Sequence, residues 1–150
     1  MQEQEIEDTV FLTQTDTTIG FVSQNADKLT AIKKRPPHKH YIKAIPSLEK
    51  LKSLTRVPSI HKNKIRRAKK TTFVFPNGHS YRIIQDEHHQ ELIHKLGWAY
   101  TTSANLTNKP YDDEFAIKNA DVVIHPLKNT DKHTASTIYK VNNYSIKKIR

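Results

Sequence analysis

The chain has 150 residues, with 25 Lys+Arg against 15 Asp+Glu and a formal net charge of +10, a length that suits one domain over positions 1–150 with a buried core. No apolar run approaches the ~18 residues of a membrane-spanning helix, and the acidic start, with Glu3, Glu5, Glu7 and Asp8, lacks the apolar centre of a secretory signal. The absence of cysteine excludes disulfides, thiol catalysis and Cys-ligated zinc, and a soluble, cytoplasmic protein is expected. Fourteen of the Lys and Arg residues fall between positions 33 and 70, where Glu49 is the one acid. That concentration points either to a polyanionic partner, nucleotide phosphates or RNA, or to a solvated lysine-rich face.

Residues 8–13 are β-branched and apolar and predict a first strand, followed by a loop over residues 14–20. Ser23 is the expected N-cap of a helix reaching Lys33, with Ala26, Leu29 and Ile32 on one face. Arg35-Pro36-Pro37 ends that helix, because a residue before proline is pushed out of the α region. A short strand at 41–45 precedes a helix opened by Pro46-Ser47, with Leu48, Leu51 and Leu54 inward. Pro58-Ser59 introduces a second, very basic helix towards Lys70. Residues 71–75 and 80–84 read as strands joined through Asn77-Gly78, a strong turn signal. Asp86 caps a helix to Leu96, whose inward side carries Leu92, Ile93 and Leu96, and Gly97 follows its end. Then come a strand at 98–102, a polar turn at Ser103-Ala104-Asn105, a short helix at 114–119 and a strand at 122–124. Two closing strands are expected at 137–141 and 145–149. Strands alternating with helices, plus a hairpin, predict an α/β domain with a twisted mixed sheet flanked by helices.

No G-x-x-x-x-G-K-[ST] loop is present, and three glycines cannot furnish a glycine-rich phosphate cradle. A G-x-S-x-G elbow is absent as well. His38 with His40, and His88 with His89, carry no H-E-x-x-H spacing; they are expected at the surface, with no metal site.

Four separated segments combine informatively. Thr15-Asp16-Thr17-Thr18-Ile19-Gly20 follows the first strand, and Lys33-Lys34-Arg35-Pro36 follows the first helix, with Lys39 four residues beyond Arg35. Thr102-Ser103-Ala104-Asn105-Leu106 follows the strand that begins at Trp98, and Ser136-Thr137 and Ile149-Arg150 close the chain. This order resembles the YrdC-like family of threonylcarbamoyl-AMP synthases, whose marks are P-T-[DE]-T-x-Y-G-L, K-x-R-P, S-x-N and a late S-T pair before a terminal arginine. The resemblance runs from Val10 to Arg150 and implies a short, single-domain YrdC-like member.

The residue chemistry points the same way. A site that holds ATP without a P-loop must neutralise the triphosphate with side chains, and Lys33, Arg35 and Lys39 offer point charges and a guanidinium fork. Ligands in α/β sheets gather at loops beyond strand ends, where Thr15, Ser103 and Asn105 fall. The resemblance implies that L-threonine, bicarbonate and ATP are joined into threonylcarbamoyl-adenylate, with magnesium accompanying ATP and pyrophosphate released. This is the first step of the t6A modification of tRNA. It further implies that Lys33, Arg35 and Lys39 face the phosphates, that Asn105, Ser136 and Arg150 complete the nucleotide site, and that Thr15, Arg82 and Ser103 face threonine. The catalytic set would be Lys33, Arg35, Ser103 and Asn105, and the partners tRNA or double-stranded RNA and proteins of the t6A pathway.

Departures from the pattern are Gln14 for proline, Ile19 for tyrosine, Phe21 for leucine and Asn108 for glycine. Ala44 stands where the family has a threonine-contacting histidine. These leave open a YciO-like paralogue with another acyl substrate. A module that binds RNA through the basic surface, without this chemistry, is the alternative from a different class; its affinity should fall steeply with salt and ignore ATP.

Overall fold

Nine extended segments build one mixed, twisted sheet in the computed structural model, which describes residues 5–16, 18–36, 40–127 and 137–149. The strands are β1 (Phe11–Gln14), β2 (Ile19–Ser23), β3 (Ile42–Ile45), β4 (Thr71–Val74), β5 (Ser80–Ile83), β6 (Ala99–Ser103), β7 (Val122–Val123), β8 (Thr137–Val141) and β9 (Ile146–Lys148). Their order across the sheet is β7-β1-β2-β6-β3-β5-β4-β8-β9. Pairings are parallel for β1–β7, β3–β5 and β4–β8 and antiparallel elsewhere. The helices are α1 (Ala26–Lys33), α2 (Leu48–Leu54), α3 (Lys62–Arg67), α4 (Glu87–Leu96) and α5 (Asp113–Asn119). No helix among the described residues is long and apolar enough to cross a membrane.

Short polar side chains start α1, α2, α4 and α5 by accepting otherwise unpaired first-turn amides. Ser47 accepts from Lys50 N at 3.2 Å, and Asp86 accepts from His89 N at 3.0 Å. Gly97 closes α4 at φ +84°, a conformation that costs glycine no Cβ clash.

Strand alternation divides the core between the two faces. On one face Leu12 and Phe21 meet Leu29 of α1 and Ala116 of α5, while Ile45, Phe73 and Tyr81 meet Leu51 of α2 and Ile65 of α3. On the other, Val22, Ala44 and Ala99 pack under Leu92 and Ile93 of α4. The Asn77-Gly78 turn and its two flanking strands form as the composition predicts, with Gly78 N donating to Phe75 O at 2.9 Å.

The structure corrects the expected loop at Ile19-Gly20 and the expected cap at Ser23. Both lie in β2, all of whose residues are buried. The helix starts later, at Asn25, whose side chain accepts from Lys28 N at 3.1 Å. Gly20 allows this strand: a Cβ there would lie 2.9 Å from Thr102 O of neighbouring β6 and 2.9 Å from Thr15 Cγ2. Trp98 lies just outside β6 and not within it.

Because one of those two clashes is with backbone, Gly20→Ala should destabilise the fold by about 1–3 kcal/mol, the usual cost of overpacking. Denaturant unfolding measures it; a midpoint equal to wild type would show that the β2–β6 approach is looser than described.

Candidate functional site

An ammonium inside a protein is stable only where oxygens replace its water. Lys33, in the last turn of α1, is 4% exposed. Its Nζ donates to Ser103 O at 2.7 Å and to Asn105 O at 2.8 Å, with Asn105 Oδ1 at 3.4 Å and Ser103 Oγ at 3.5 Å. The polar turn after β6 therefore folds around one amine. Asn105 also stitches the turn to itself, its Nδ2 donating to Leu106 O and Lys109 O. Burial, with the charge of Arg35 added, lowers the Lys33 pKa to about 8.

Beyond α1 the chain passes Lys34 at φ +51° and delivers Arg35 beside this amine. The Arg35 guanidinium lies 4.6 Å from the centre of the Tyr41 ring and donates from Nη2 to His40 O at 3.0 Å. Tyr41 is held in turn by its hydroxyl, 2.9 Å from Thr30 Oγ1. Lys33, Arg35, Thr102, Ser103, Asn105, Thr107 and Asn108 line a cleft of about 210 Å³. Two buried polar atoms on these lining residues have no partner: Arg35 Nε and Thr107 Oγ1. Orphaned donors beside a cation are what an anionic ligand would satisfy. The other flank of the turn faces a second cleft of about 250 Å³, lined by Thr18, Ile19, Ser103, Ala104, Asn105, Lys109, Pro110 and Tyr111.

Thr15 and Arg82 belong to a neighbouring cluster. Thr15 closes the β1–β2 turn, its Oγ1 donating to Thr18 O at 2.6 Å. Next to it, Asp16 Oδ1 accepts from Arg82 Nη1 at 3.0 Å, in an ion pair whose side chains are 6% and 5% exposed. Arg82 also donates to Thr72 Oγ1 from Nε at 3.1 Å and from Nη2 at 2.9 Å. His89, on the sheet-facing side of α4 one turn before Ile93, is completely buried, and neither ring nitrogen has a partner. That corrects its expected place at the surface. Burial lowers its pKa to about 4, so the ring is neutral. His88 lies 3.3 Å from Thr13 Oγ1, and His40 is exposed. Among the described residues no group of three or more His, Asp or Glu side chains could hold a metal.

The structure thus gathers Lys33, Arg35, Ser103 and Asn105 at one cleft and places Thr15 and Arg82 on either side of Asp16. Lys39, Ser136 and Arg150 lie outside the described residues. Sequence reasoning missed Thr107, Tyr41 and the buried state of His89. Asp16 stood in a quoted motif, but its partner is 66 positions away.

The family model Sua5_yciO_yrdC, described as telomere recombination, matches residues 7–150. The chain belongs to this family. An uncharacterised protein of Mycoplasma genitalium, MG259, is 29% identical over 147 residues, and the match covers 87% of the chain but 30% of that protein. The fold is similar to that of P. abyssi Sua5 complexed with L-threonine, with a TM-score of 0.80 at 20% identity, covering 97% of the chain and 51% of Sua5. It is also similar to that of E. coli YciO, with a TM-score of 0.73 at 16% identity, covering 95% of the chain and 82% of YciO. The chain spans about half of Sua5 and under a third of MG259.

The Lys33 amine is charged at pH 7 and loses its proton as pH rises through about 8. A polyanion beside it favours the charged form, so affinity for inorganic triphosphate should be flat below that pH and fall by up to about tenfold per unit above it. Lys33→Arg, permanently charged, should flatten the profile. Calorimetric titrations across pH 7 to 9 give both curves; identical slopes would detach Lys33 from the anion.

Proposed function

We propose that the protein forms L-threonylcarbamoyl-adenylate from L-threonine, bicarbonate and ATP, releasing pyrophosphate, in the first step of t6A modification of tRNA. The observation that carries this reading is the convergence of Lys33, Arg35, Ser103 and Asn105 on one cleft with the orphaned Arg35 Nε and Thr107 Oγ1. Family membership and the likeness to a Sua5 solved with L-threonine support it. So does the likeness to HypF in its phosphate- and nucleotide-bound form, with a TM-score of 0.74 at 16% identity.

In this reading Lys33, Arg35 and Lys39 neutralise the triphosphate, which arrives as its magnesium complex. Asn105, Ser136 and Arg150 complete the nucleotide site, and Thr15, Arg82 and Ser103 serve threonine. The threonine amine and bicarbonate give a carbamate and water. A carbamate oxygen then attacks the α-phosphorus of ATP, and the bond to pyrophosphate breaks. No enzyme nucleophile is needed: the chain contributes alignment and positive charge where the leaving group gains negative charge. The adenylate would pass to proteins of the t6A pathway in the cytoplasm, with residues 1–150 acting as a single YrdC-like unit.

A second reading is a YciO-like paralogue with another acyl substrate. Ile19 lines the cleft beside Ser103, and Ala44, the strand neighbour of Arg82, is fully buried and brings no imidazole from β3. Pyrophosphate release measured with each amino acid in turn separates the two. Threonine- and bicarbonate-dependent release supports the first, release with a different acid supports the second, and no release with any of them sinks both. An RNA-binding module without this chemistry predicts, in contrast, ATP-independent affinity that collapses with salt.

Arg35→Ala should weaken ATP binding by ~1.5–3 kcal/mol, the usual size of a charge-assisted contact. Equilibrium titration with ATP tests it, and wild-type affinity in a folded variant would place the phosphates elsewhere.

Ser103→Ala and Asn105→Ala should both lower turnover. Ser103 should leave the melting temperature nearly unchanged because its side chain is exposed, whereas Asn105 should lower it by a few degrees through its two lost turn bonds. Unchanged turnover in both variants would reduce the turn to a scaffold.

A further inference from the structure

A strand at the rim of a sheet keeps half of its backbone groups unpaired. β9 is such a strand: among the described residues it has β8 on one side and no strand on the other. In this hairpin Asn142 N donates to Ser145 O at 3.0 Å, and Ile149 N donates to Ile138 O at 2.8 Å. Alternation along an antiparallel pair then turns the backbone of Ser145, Lys147 and Ile149 towards β8 and that of Ile146 and Lys148 outward. The opposite rim is different. β7 has two residues, and Asp121 just before it accepts from Val10 N and lies 3.5 Å from Lys28.

The charges on the β8–β9 hairpin oppose one another. Lys140 faces Lys147 directly across the pair, and like charges placed there cost stability. Tyr139 faces Lys148 and also carries Lys64 of α3, whose Nζ is 4.8 Å from the ring centre. Lys140, Lys147 and Lys148 are exposed, and no ion pair among the described residues includes any of these four lysines. Tyr139, Val141 and Ile146 pack with the core under α2 and α3. By alternation Ile138, Lys140, Lys147 and Ile149 share the other face, where Ile149 is 58% exposed.

We propose that the β9 edge docks an extended segment of a partner protein in which acidic residues alternate with β-branched apolar ones, added to the sheet as a further strand. The outward N–H and C=O groups of Ile146 and Lys148 pair with its backbone, as main-chain groups do in strand addition. Its acids fall on the face of Lys140 and Lys147 and replace their repulsion by attraction. Its apolar side chains fall on the other face, beside Ile146. Edge lysines discourage pairing with neutral or basic strands, so the residues that keep this hairpin from adding to copies of itself select an acidic partner. Charge alone would suit RNA as well; the outward backbone groups at strand spacing favour a peptide. β3, β5, β4 and β8 separate β9 from β6, whose end carries Ser103, so the docking edge and the Lys33 cleft are distinct.

The probe is an acetylated, amidated peptide of alternating Glu and Val, titrated into the whole chain and followed by amide chemical shifts. It should bind and shift Ile146 and Lys148 most, whereas a version with Lys for Glu should not bind. N-methylation of the peptide's amides should weaken it at least about tenfold, because the added strand then has no N–H to donate. Lys148→Pro, which removes an outward N–H that β8 does not use, should weaken the parent peptide several-fold beyond Lys148→Ala. Lys147→Glu should weaken it about tenfold while raising the melting temperature by about 1–4 °C, since it replaces a like-charge pair by an opposite one. Equal affinity for the N-methylated peptide, equal affinity for the Lys version, or no binding of any peptide each overturns the assignment. Binding of poly-uridylate that Lys147→Glu abolishes, with none of the acidic peptide, would give the lysines to RNA instead. An unchanged or lowered melting temperature in Lys147→Glu would remove the like-charge cost on which the choice of an acidic partner rests.

Discussion

One buried amine organises the end of the sheet where the candidate site lies. Lys33 Nζ can be dry only because Ser103 O and Asn105 O turn inward to it, and those carbonyls can turn inward only because the chain leaves β6 in a tight polar turn. The contact joins residues 70 and 72 positions apart. It fixes the C-terminus of α1 against the end of β6, and with it the direction in which Arg35 leaves the helix. Lys33 O in turn accepts from Thr107 N at 3.2 Å, so helix and turn hold each other from both sides. Removing the amine would leave two carbonyls facing a void; removing the turn would leave a buried charge without water.

The β1–β2 turn plays the corresponding part on the other side. Thr15 and Thr18 close it through side chain and backbone, so Asp16 projects towards Arg82 while the Ile19 carbonyl accepts from Ala104 N at 3.0 Å. This turn and the first residue of β2 therefore touch both clusters. Gly20 makes this geometry possible by letting β2 approach β6 at the point where Ser103 pairs with it. The position is spatially forced: a side chain there would push apart the elements that the substrates are proposed to bridge.

Much of this was legible in the sequence, and the parts that were not share a physical cause. Apolar alternation and turn residues announced most strands and helices, because both signals are local. β2 was misread because a glycine among hydroxyl residues looks like a loop, whereas here it answers a close approach by a strand about 80 residues away in sequence. Lys33, Ser103 and Asn105 were legible as a spaced motif. Thr107, Tyr41 and His89 were not, since each takes its environment wholly from tertiary contacts. A histidine pair beside acids reads as solvated surface, and only the helical phase of α4, with Leu92 and Ile93 inward, shows that His89 must face the sheet.

The basic stretch, too, is resolved by the fold into unlike parts. Lys33 and Arg35 are drawn into the cleft, where one is desolvated and the other lies against Tyr41. Lys43 is spent on an aromatic surface, its Nζ 4.3 Å from the centre of the Trp98 ring, and burial together with Lys50 lowers its pKa. Arg66 and Arg67 of α3 stay in water, as do Lys69 and Lys70 at the rim of a cleft that Asp16 also lines. A single electrostatic patch would have made the charge excess an argument for non-specific polyanion binding. Divided in this way, Lys33 and Arg35 line a cleft where a small anion can be oriented, Lys43 is taken up by aromatic rings, and the remaining cations named here stay on the exterior. Orientation of small anions is what the proposed attack of a carbamate on a triphosphate needs, and a solvated lysine surface alone cannot supply it.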